Sequence, residues 1–470
     1  MNIFIILLAF VIGGLCVSSS RQANTGEGPP HPVCDSHSTV NLIPPVAKSV
    51  TDVTPLLHGA GVPEGACIFN PALVRLSGDV YCLFARVYTA SVPEKRCAPG
   101  HRDRAPFLDG WRGKSTNVMV ALRLNQRNNS HTLQAEVLGH SYLGDSNLED
   151  GRLFKDTRGR TFVYLALPVG VFPDRAVINS VYRVYSRCSR TSKRCILSLR
   201  FPRALTYTGS HNVMDKNWVP WNGTQFMSFS HFGTLGPQSI FNWVSYEEPK
   251  PHATFDMVTE DPLFRKLGQR YGSLLHLGGG TPAILEASRH SYLAVGHLKA
   301  HPGCFHPEML PAWVDRGWFG QQVAERTQSR CSHLVQSSND TTRTEVLKEA
   351  FKYRHGDQEG IHYPLEYAFF FYRFNASPPY SMTHISHGFM PYTWRSAADH
   401  QGILFPVGLE RFGAEDYIIS YGDEDQRSLL LRMSSAQVEA MLLPIQEMKR
   451  RLDEFMVCTL PCEGLGNCDV

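Results

Sequence analysis

The chain carries almost no excess of charge. Against 46 Lys and Arg stand 43 Asp and Glu, a formal net charge of +3 over 470 residues. That balance excludes the broad basic footprint of a nucleic-acid binder, and no polybasic block or basic amphipathic stretch marks a membrane surface. Beyond the first 20 residues no apolar run is long enough to cross a bilayer. Neither GxSxG nor HExxH occurs, which removes the serine-hydrolase and zincin readings. The Gly278-Gly279-Gly280 run is not followed by a helix pattern with GKS or GxxG, so it is no nucleotide loop. His301, Cys304 and His306 are metal-like in type but lack a recognised spacing, and a bridge from Cys304 to Cys331 explains them better. No metal and no cofactor is expected. Hydrophobic residues at 43% and charged residues at 19% exclude disorder as well. What remains is a globular chain whose partners are small molecules, glycans or proteins.

The N-terminus is apolar from Ile3 to Val17 and continues into Ser18, Ser19 and Ser20. This has the length of a signal-peptide core, although Lys and Arg are missing before it, so residues 1–20 read as a signal peptide or a signal anchor. Cys16 lies within that run and leaves 11 of the 12 cysteines beyond it. Cys188 and Cys195 flank a short polar turn between two strand-like runs and suit a bridge across a hairpin. Sequons at Asn128, Asn222, Asn339 and Asn375 permit glycosylation. Together these features place the protein in the secretory pathway, secreted or in the lumen of the ER or Golgi.

After a Pro- and Gly-rich linker or strap over 21–60, one pattern recurs five times: a short strand-like run, a polar turn and a second run. The segments are Pro71–Val87, Gly151–Pro168, Asn217–Phe232, Thr281–Leu298 and Gly402–Tyr421, with turn chemistry at Ser77-Gly78-Asp79, Arg158-Gly159 and Asn222-Gly223. Further hairpins fall between them, as at Ser180–Phe201 and Tyr367–Ile385. Five units of four strands predict an all-β fold, a five-bladed β-propeller over 61–433 with an insertion near 300–360. A β-sandwich would not need five similar hairpins separated by comparable second hairpins. Ser434 or Ser435 starts a C-terminal helix with an apolar stripe at Val438, Met441, Leu442, Ile445, Met448, Leu452 and Phe455, running over 434–457 before a cysteine-containing tail, 458–470.

In a propeller the innermost strands line the axis, so polar residues at their ends share one pocket. Those positions hold Asn70 and Arg86; Glu149, Asp150 and Arg152; Lys216 and His231; Thr281 and His297; Asp423 and Asp425. Carboxylates are few and cations several, which suits an anionic group beside a neutral sugar. Asp150, in NLEDGRLF, is the candidate for proton transfer; a solvated loop carboxylate paired with Arg152 is the competing reading. Arg86 and Lys216 suit phosphate or diphosphate, or else surface ion pairs. Trp218 and Trp221 suit a floor for a sugar ring, or core packing.

At FNPALVRLSGDVYCLFAR, LEDGRLF, DKNWVPW, GGGTPAIL with YLAVGHL, and ISYGDEDQ the chain resembles glycoside hydrolase family 130 and the related mannosyltransferases and phosphorylases of glycosyltransferase family 108. The motifs fall in order across most of residues 60–435. The resemblance implies a five-bladed propeller that transfers mannosyl units to or from β-mannosides, with a mannose-containing oligosaccharide and inorganic phosphate, a sugar phosphate or a sugar nucleotide as partners. Glu149-Asp150-Gly151-Arg152 matches the family's E-D-P-R motif except at Gly151, and gives Asp150 the general-acid role. Asn70 and Arg86 match first-blade sugar and phosphate contacts, Lys216 the third-blade lysine, and His297 a phosphate-side histidine. Asp425 matches a last-blade sugar-binding aspartate, with Asp423 its competitor. Glycine in place of proline is expected to loosen the turn that holds Asp150. A glycosidase on arabinosides or fructosides and a non-catalytic lectin are the other readings; two-carboxylate chemistry is disfavoured by the shortage of carboxylates at three of the five units.

Overall fold

The computed structural model describes residues 50–63, 65–89, 114–126, 133–145, 147–169, 176–189, 194–207, 217–230, 238–243, 252–259, 275–300, 366–386, 388, 404–423 and 425–450. The leader, most of the linker, the insertion near 300–360, the four sequence positions Lys216, His231, Cys304 and Cys331, and the tail after 450 lie outside them.

The described residues form an all-β, propeller-like arrangement of five sheets. Sheet I pairs Cys67–Ser77, Val80–Thr89, Lys114–Gln126 and Leu133–Asp145 in antiparallel order. Sheet II does the same with Glu149–Lys155, Thr161–Val169, Ala176–Cys188 and Cys195–Ala204. Sheet III runs from the two-residue strand Val219–Pro220 through Phe226–Ser230, Gln238–Trp243 and His252–Thr259, with Thr206–Tyr207 added in parallel outside. In sheet IV, Leu275–Gly279 and Ile284–Glu286 both pair with Ser291–Ala300, followed by Glu366–Asn375 and Met382–Ser386. Sheet V holds Leu404–Phe412, Asp416–Asp423 and Arg427–Ser434, and its outermost strand comes from the other end of the chain, Val50–Asp52.

The hairpins form where sequence placed them, because each turn supplies a residue free to take positive φ: Gly78 at 54°, Gly159 at 71° and Gly223 at 78°. Strands such as Cys67–Val74 are buried on both faces, as sheets packed between sheets must be. One apolar cluster fills each seam. Ile68, Leu83 and Val120 of sheet I meet Ile418 and Leu430 of sheet V. Phe84 and Met119 of sheet I meet Leu153 and Leu165 of sheet II. Phe154 and Tyr164 of sheet II meet Trp218 and Met227 of sheet III. Val219 and Trp221 meet Tyr292 and Phe374 of sheet IV, and Leu293 and Phe369 of sheet IV meet Leu409 and Leu431 of sheet V.

Neighbouring sheets are also stitched by hydrogen bonds. Lys155 N donates to Asn222 Oδ1 at 2.8 Å between sheets II and III, Asn222 N to Ala283 O at 2.8 Å between III and IV, and Ser428 Oγ to Ile68 O at 2.9 Å between V and I.

The expected single C-terminal helix is two short ones, Ser435–Met441 and Ile445–Arg450. Ser434 caps the first through a capping box with Gln437. Pro444 cannot donate an N–H to a continuing helix, and Leu442–Pro444 instead adds a strand to the edge of sheet IV, opposite His384–Ser386. The expected Cys188–Cys195 bridge is present. Cys67 is also disulfide-bonded, to a cysteine outside the described residues.

Candidate active site

The inner strands of sheets I and II carry the same defect. Opposite Val80–Thr89, register jumps between Phe69–Arg86 and Ala72–Phe84; opposite Thr161–Val169, it jumps between Glu149–Ala166 and Arg152–Tyr164. Each is a bulge with one extra residue, the device by which a strand re-aims a side chain. The residue at the bend is polar and left-handed in both: Asn70 at φ 50° and Asp150 at φ 51°. Asn and Asp tolerate this conformation better than other side chains. Asn217, just before the inner strand of sheet III, repeats it at φ 78°.

The bends face one another. Asn70 Nδ2 donates to Asp150 Oδ1 at 3.1 Å. Arg86 Nη2 pairs with Glu149 Oε1 at 2.9 Å, and its Nη1 lies 3.9 Å from Asp150 Oδ1. Asp150 is 4% exposed and Glu149 1%. Behind them Arg152, with no exposure at all, spends three donors on protein: Nη1 on Asp150 O at 2.5 Å, Nη2 on Asn217 Oδ1 at 3.0 Å and Nε on Gly280 O at 2.7 Å. A buried guanidinium is costly unless its donors are met, and here they tie sheets II, III and IV together. Burial lowers the Arg152 guanidinium from its ordinary value, while the Asp150 charge pulls it back up.

Gly151 has its own reason to be glycine. A Cβ there would stand 2.6 Å from Phe84 Cδ1, within the apolar seam of sheets I and II. The small residue lets sheet I close against the bend that carries Asp150. Gly422 plays the same part opposite Asn70, where a Cβ would come 2.2 Å from Oδ1.

The sequence candidates therefore separate. Asn70, Arg86, Glu149 and Asp150 are brought together, and Arg152 sits under them as a strut. Asp423, next to Gly422, is fully buried, whereas Asp425 is half-buried in the turn before Arg427–Ser434 at φ 53°. Two expectations need correction. Trp218 is 1% exposed and stacks on Tyr164 at 6.3 Å, so its face is closed to a sugar. His297 is fully buried between Tyr367 and Phe405, with ring centroids at 6.0 and 4.9 Å, and the Arg152 guanidinium lies over the same Phe405 ring. Both residue types bind sugars or phosphates, but both also fill cores. Thr281 is buried and accepts from Val295 N at 3.0 Å, and Trp221 packs among Phe226, Tyr292, Phe374 and Tyr380. Asn217 is the residue that sequence reasoning passed over. Its signal was the one shared with Asn70 and Asp150, an Asn or Asp at the bend beside an inner strand.

Among the described residues no group of three or more His, Cys, Asp or Glu is arranged to hold a metal, and no helix is long and apolar enough to cross a membrane.

No protein-family model and no curated protein sequence matches the chain. Solved structures similar to it include a β-1,2-mannobiose phosphorylase from Listeria innocua (12% identity, 84% of this chain and 98% of that one, TM-score 0.41). A mannose phosphorylase from Leishmania mexicana in complex with phosphate ion is also similar (10%, 83% and 95%, 0.38), as is a glycosyl hydrolase from Bacteroides ovatus (13%, 79% and 85%, 0.40). Likeness at this level is silent on chemistry, which rests on the residues themselves.

Proposed function

We propose that the five sheets close as a five-bladed propeller and that the chain is a carbohydrate-active enzyme transferring mannosyl units to or from β-mannosides, by phosphorolysis or by transfer from a mannose donor. The observation that carries this reading is the buried Asp150 carboxylate, bent out of an inner strand and held by Asn70 from the neighbouring sheet. In its protonated form this group is the general acid, delivering a proton to the departing glycosidic oxygen directly or through a sugar hydroxyl. Asn70 Oδ1 is buried against Gly422, so Asn70 acts here by holding Asp150 through Nδ2. Arg152 is a positioning residue that fixes the backbone of Asp150.

Hydrolysis in the common two-carboxylate manner requires a second carboxyl group to act as base or nucleophile. The second carboxylate here, Glu149, is bound to Arg86 at 2.9 Å. That favours a reaction in which the co-substrate brings the nucleophile. The described cluster is charge-balanced, Arg86 and Arg152 against Glu149 and Asp150, so an anionic co-substrate draws on a further cation. Lys216, next in sequence to Asn217 and outside the described residues, is that candidate. A secretory-pathway location accords with the Cys188–Cys195 bridge.

The test is incubation with manno-oligosaccharides plus inorganic phosphate, and separately with mannose-1-phosphate or GDP-mannose plus acceptor, with products resolved by chromatography. Turnover that disappears in Asp150→Asn supports the assignment. Undiminished turnover in that variant removes Asp150 from the mechanism, and binding of mannosides without product makes the protein a lectin.

A further inference from the structure

The charge balance of the whole chain conceals a local extreme in the outer hairpin of sheet II. Between Ala176 and Tyr207 there are seven cations, Arg183, Arg187, Arg190, Lys193, Arg194, Arg200 and Arg203, and no Asp or Glu. They form no long block in the sequence, where only Lys193 and Arg194 are adjacent. Strand pairing brings described members of this set together. Arg183 lies opposite Arg200 and Arg187 opposite Ile196, with Tyr185 opposite Ser198 between, all on one face.

That face is built as well as charged. The Arg183 and Arg200 guanidinium carbons lie 4.5 and 5.2 Å from the Tyr185 ring centroid, so one ring holds two cations without neutralising either. Arg183, Arg187, Arg194 and Arg200 make no ion pair among the described residues. On the adjoining outer strand of sheet I, Glu136 is taken by Arg123 at 2.6 Å. Arg187, Arg194 and Arg200 are exposed, as is Ile196 at 73%. The bulge opposite Arg183 turns Phe201 out at φ 55°, with 55% exposure. Charges that only protect a sheet edge from pairing need not be of one sign; here every one is.

We infer that this hairpin is a docking strip for a linear sulfated polysaccharide. From Arg194 to Arg203 the strip is roughly 30 Å long at about 3.3 Å per residue and two strands wide. That is the shape of a polymer with regularly spaced anionic groups, and guanidinium forks grip planar oxyanion faces better than ammonium groups do. The Cys188–Cys195 bridge at the hairpin's end belongs to an oxidising compartment, where such polysaccharides, not nucleic acids, are the available polyanions. The strip consists of residues none of which belongs to the Asp150 cluster, so it stands whether or not that cluster catalyses.

The test uses the full chain on immobilised heparin and on a sulfopropyl resin, with phosphatidylserine vesicles in parallel. The protein should elute from heparin at higher salt than from the sulfopropyl resin. Arg183→Ser/Arg187→Ser/Arg200→Ser should lower the slope of log affinity against log salt by about three, about one per cation removed, with its circular dichroism unchanged. Equal elution from the two resins, or unchanged heparin elution of the triple variant, overturns the inference. Sedimentation with the vesicles without retention on heparin overturns it too, in favour of a membrane surface.

Discussion

Asp150 owes its position to three neighbours that act on different atoms. Asn70 holds a carboxylate oxygen, Arg152 the backbone carbonyl, and Gly151 the approach of Phe84. These contributions separate by mutation. Asp150→Asn keeps the shape and removes the proton, and is expected to cost ~10²–10⁴ in turnover with little change in Tm. Arg152→Met should do the reverse first. It leaves Asp150 O, Gly280 O and Asn217 Oδ1 without their donor in a dry interior, a loss of about 3–5 kcal/mol by analogy with broken buried charge pairs, read as a large fall in Tm by calorimetry. Glu410 supplies a pH dependence away from the cluster. Burial pushes its carboxyl up to about 7 from an ordinary 4.5, against the pull of Lys155 and Arg75. The folded chain then keeps a proton that the unfolded chain releases between those values. This contribution to stability is whole below about pH 4.5 and is lost as pH rises through 7, by up to ~1.4 kcal/mol per unit. Melting at pH 5.5 and 8 should show the decline, and Glu410→Gln should flatten it.

At the scale of elements, hairpins were legible because turn glycines and alternating apolar runs report local preference. Glu149 and Asp150 were legible as strand-end carboxylates. The bulges were not, since an extra residue in one strand shows only when its partner is aligned, and the bulges are what make Asn70 and Asp150 converge. Trp218 and His297 were legible by type alone, which does not distinguish an open pocket from a seam between sheets. Pro444, in contrast, was a readable stop within the expected long helix. The fit between bends is testable: Gly151→Pro forces an atom to within 2.6 Å of the Phe84 ring. It should destabilise by about 1–3 kcal/mol, as overpacking does, and Phe84→Leu in the same chain should recover part of that loss, measured as Tm in a double-mutant cycle.

At the scale of the molecule, the Glu286 network binds sheet IV to sheet V. Glu286 accepts from Arg373 Nε at 2.8 Å and from the Tyr417 hydroxyl at 2.6 Å, while Arg373 also reaches Glu439 of the first C-terminal helix. Sheet V in turn is finished by a strand from before sheet I, with Val50 opposite Leu431 and Asp52 opposite Leu429, and Arg427 bonded to Asp52 at 2.9 Å. Removing residues 50–53 should expose the backbone of Leu429–Leu431 and yield oligomers on size-exclusion chromatography, as uncovered strand edges do.

That last pairing imposes an order of events on a nascent polypeptide. Val50 leaves the ribosome well before its mate, which is synthesised some 380 residues later. Contacts so distant in sequence form slowly. The early strand therefore waits uncommitted until Leu429–Leu431 has been made, and only then is the outer edge of sheet V covered.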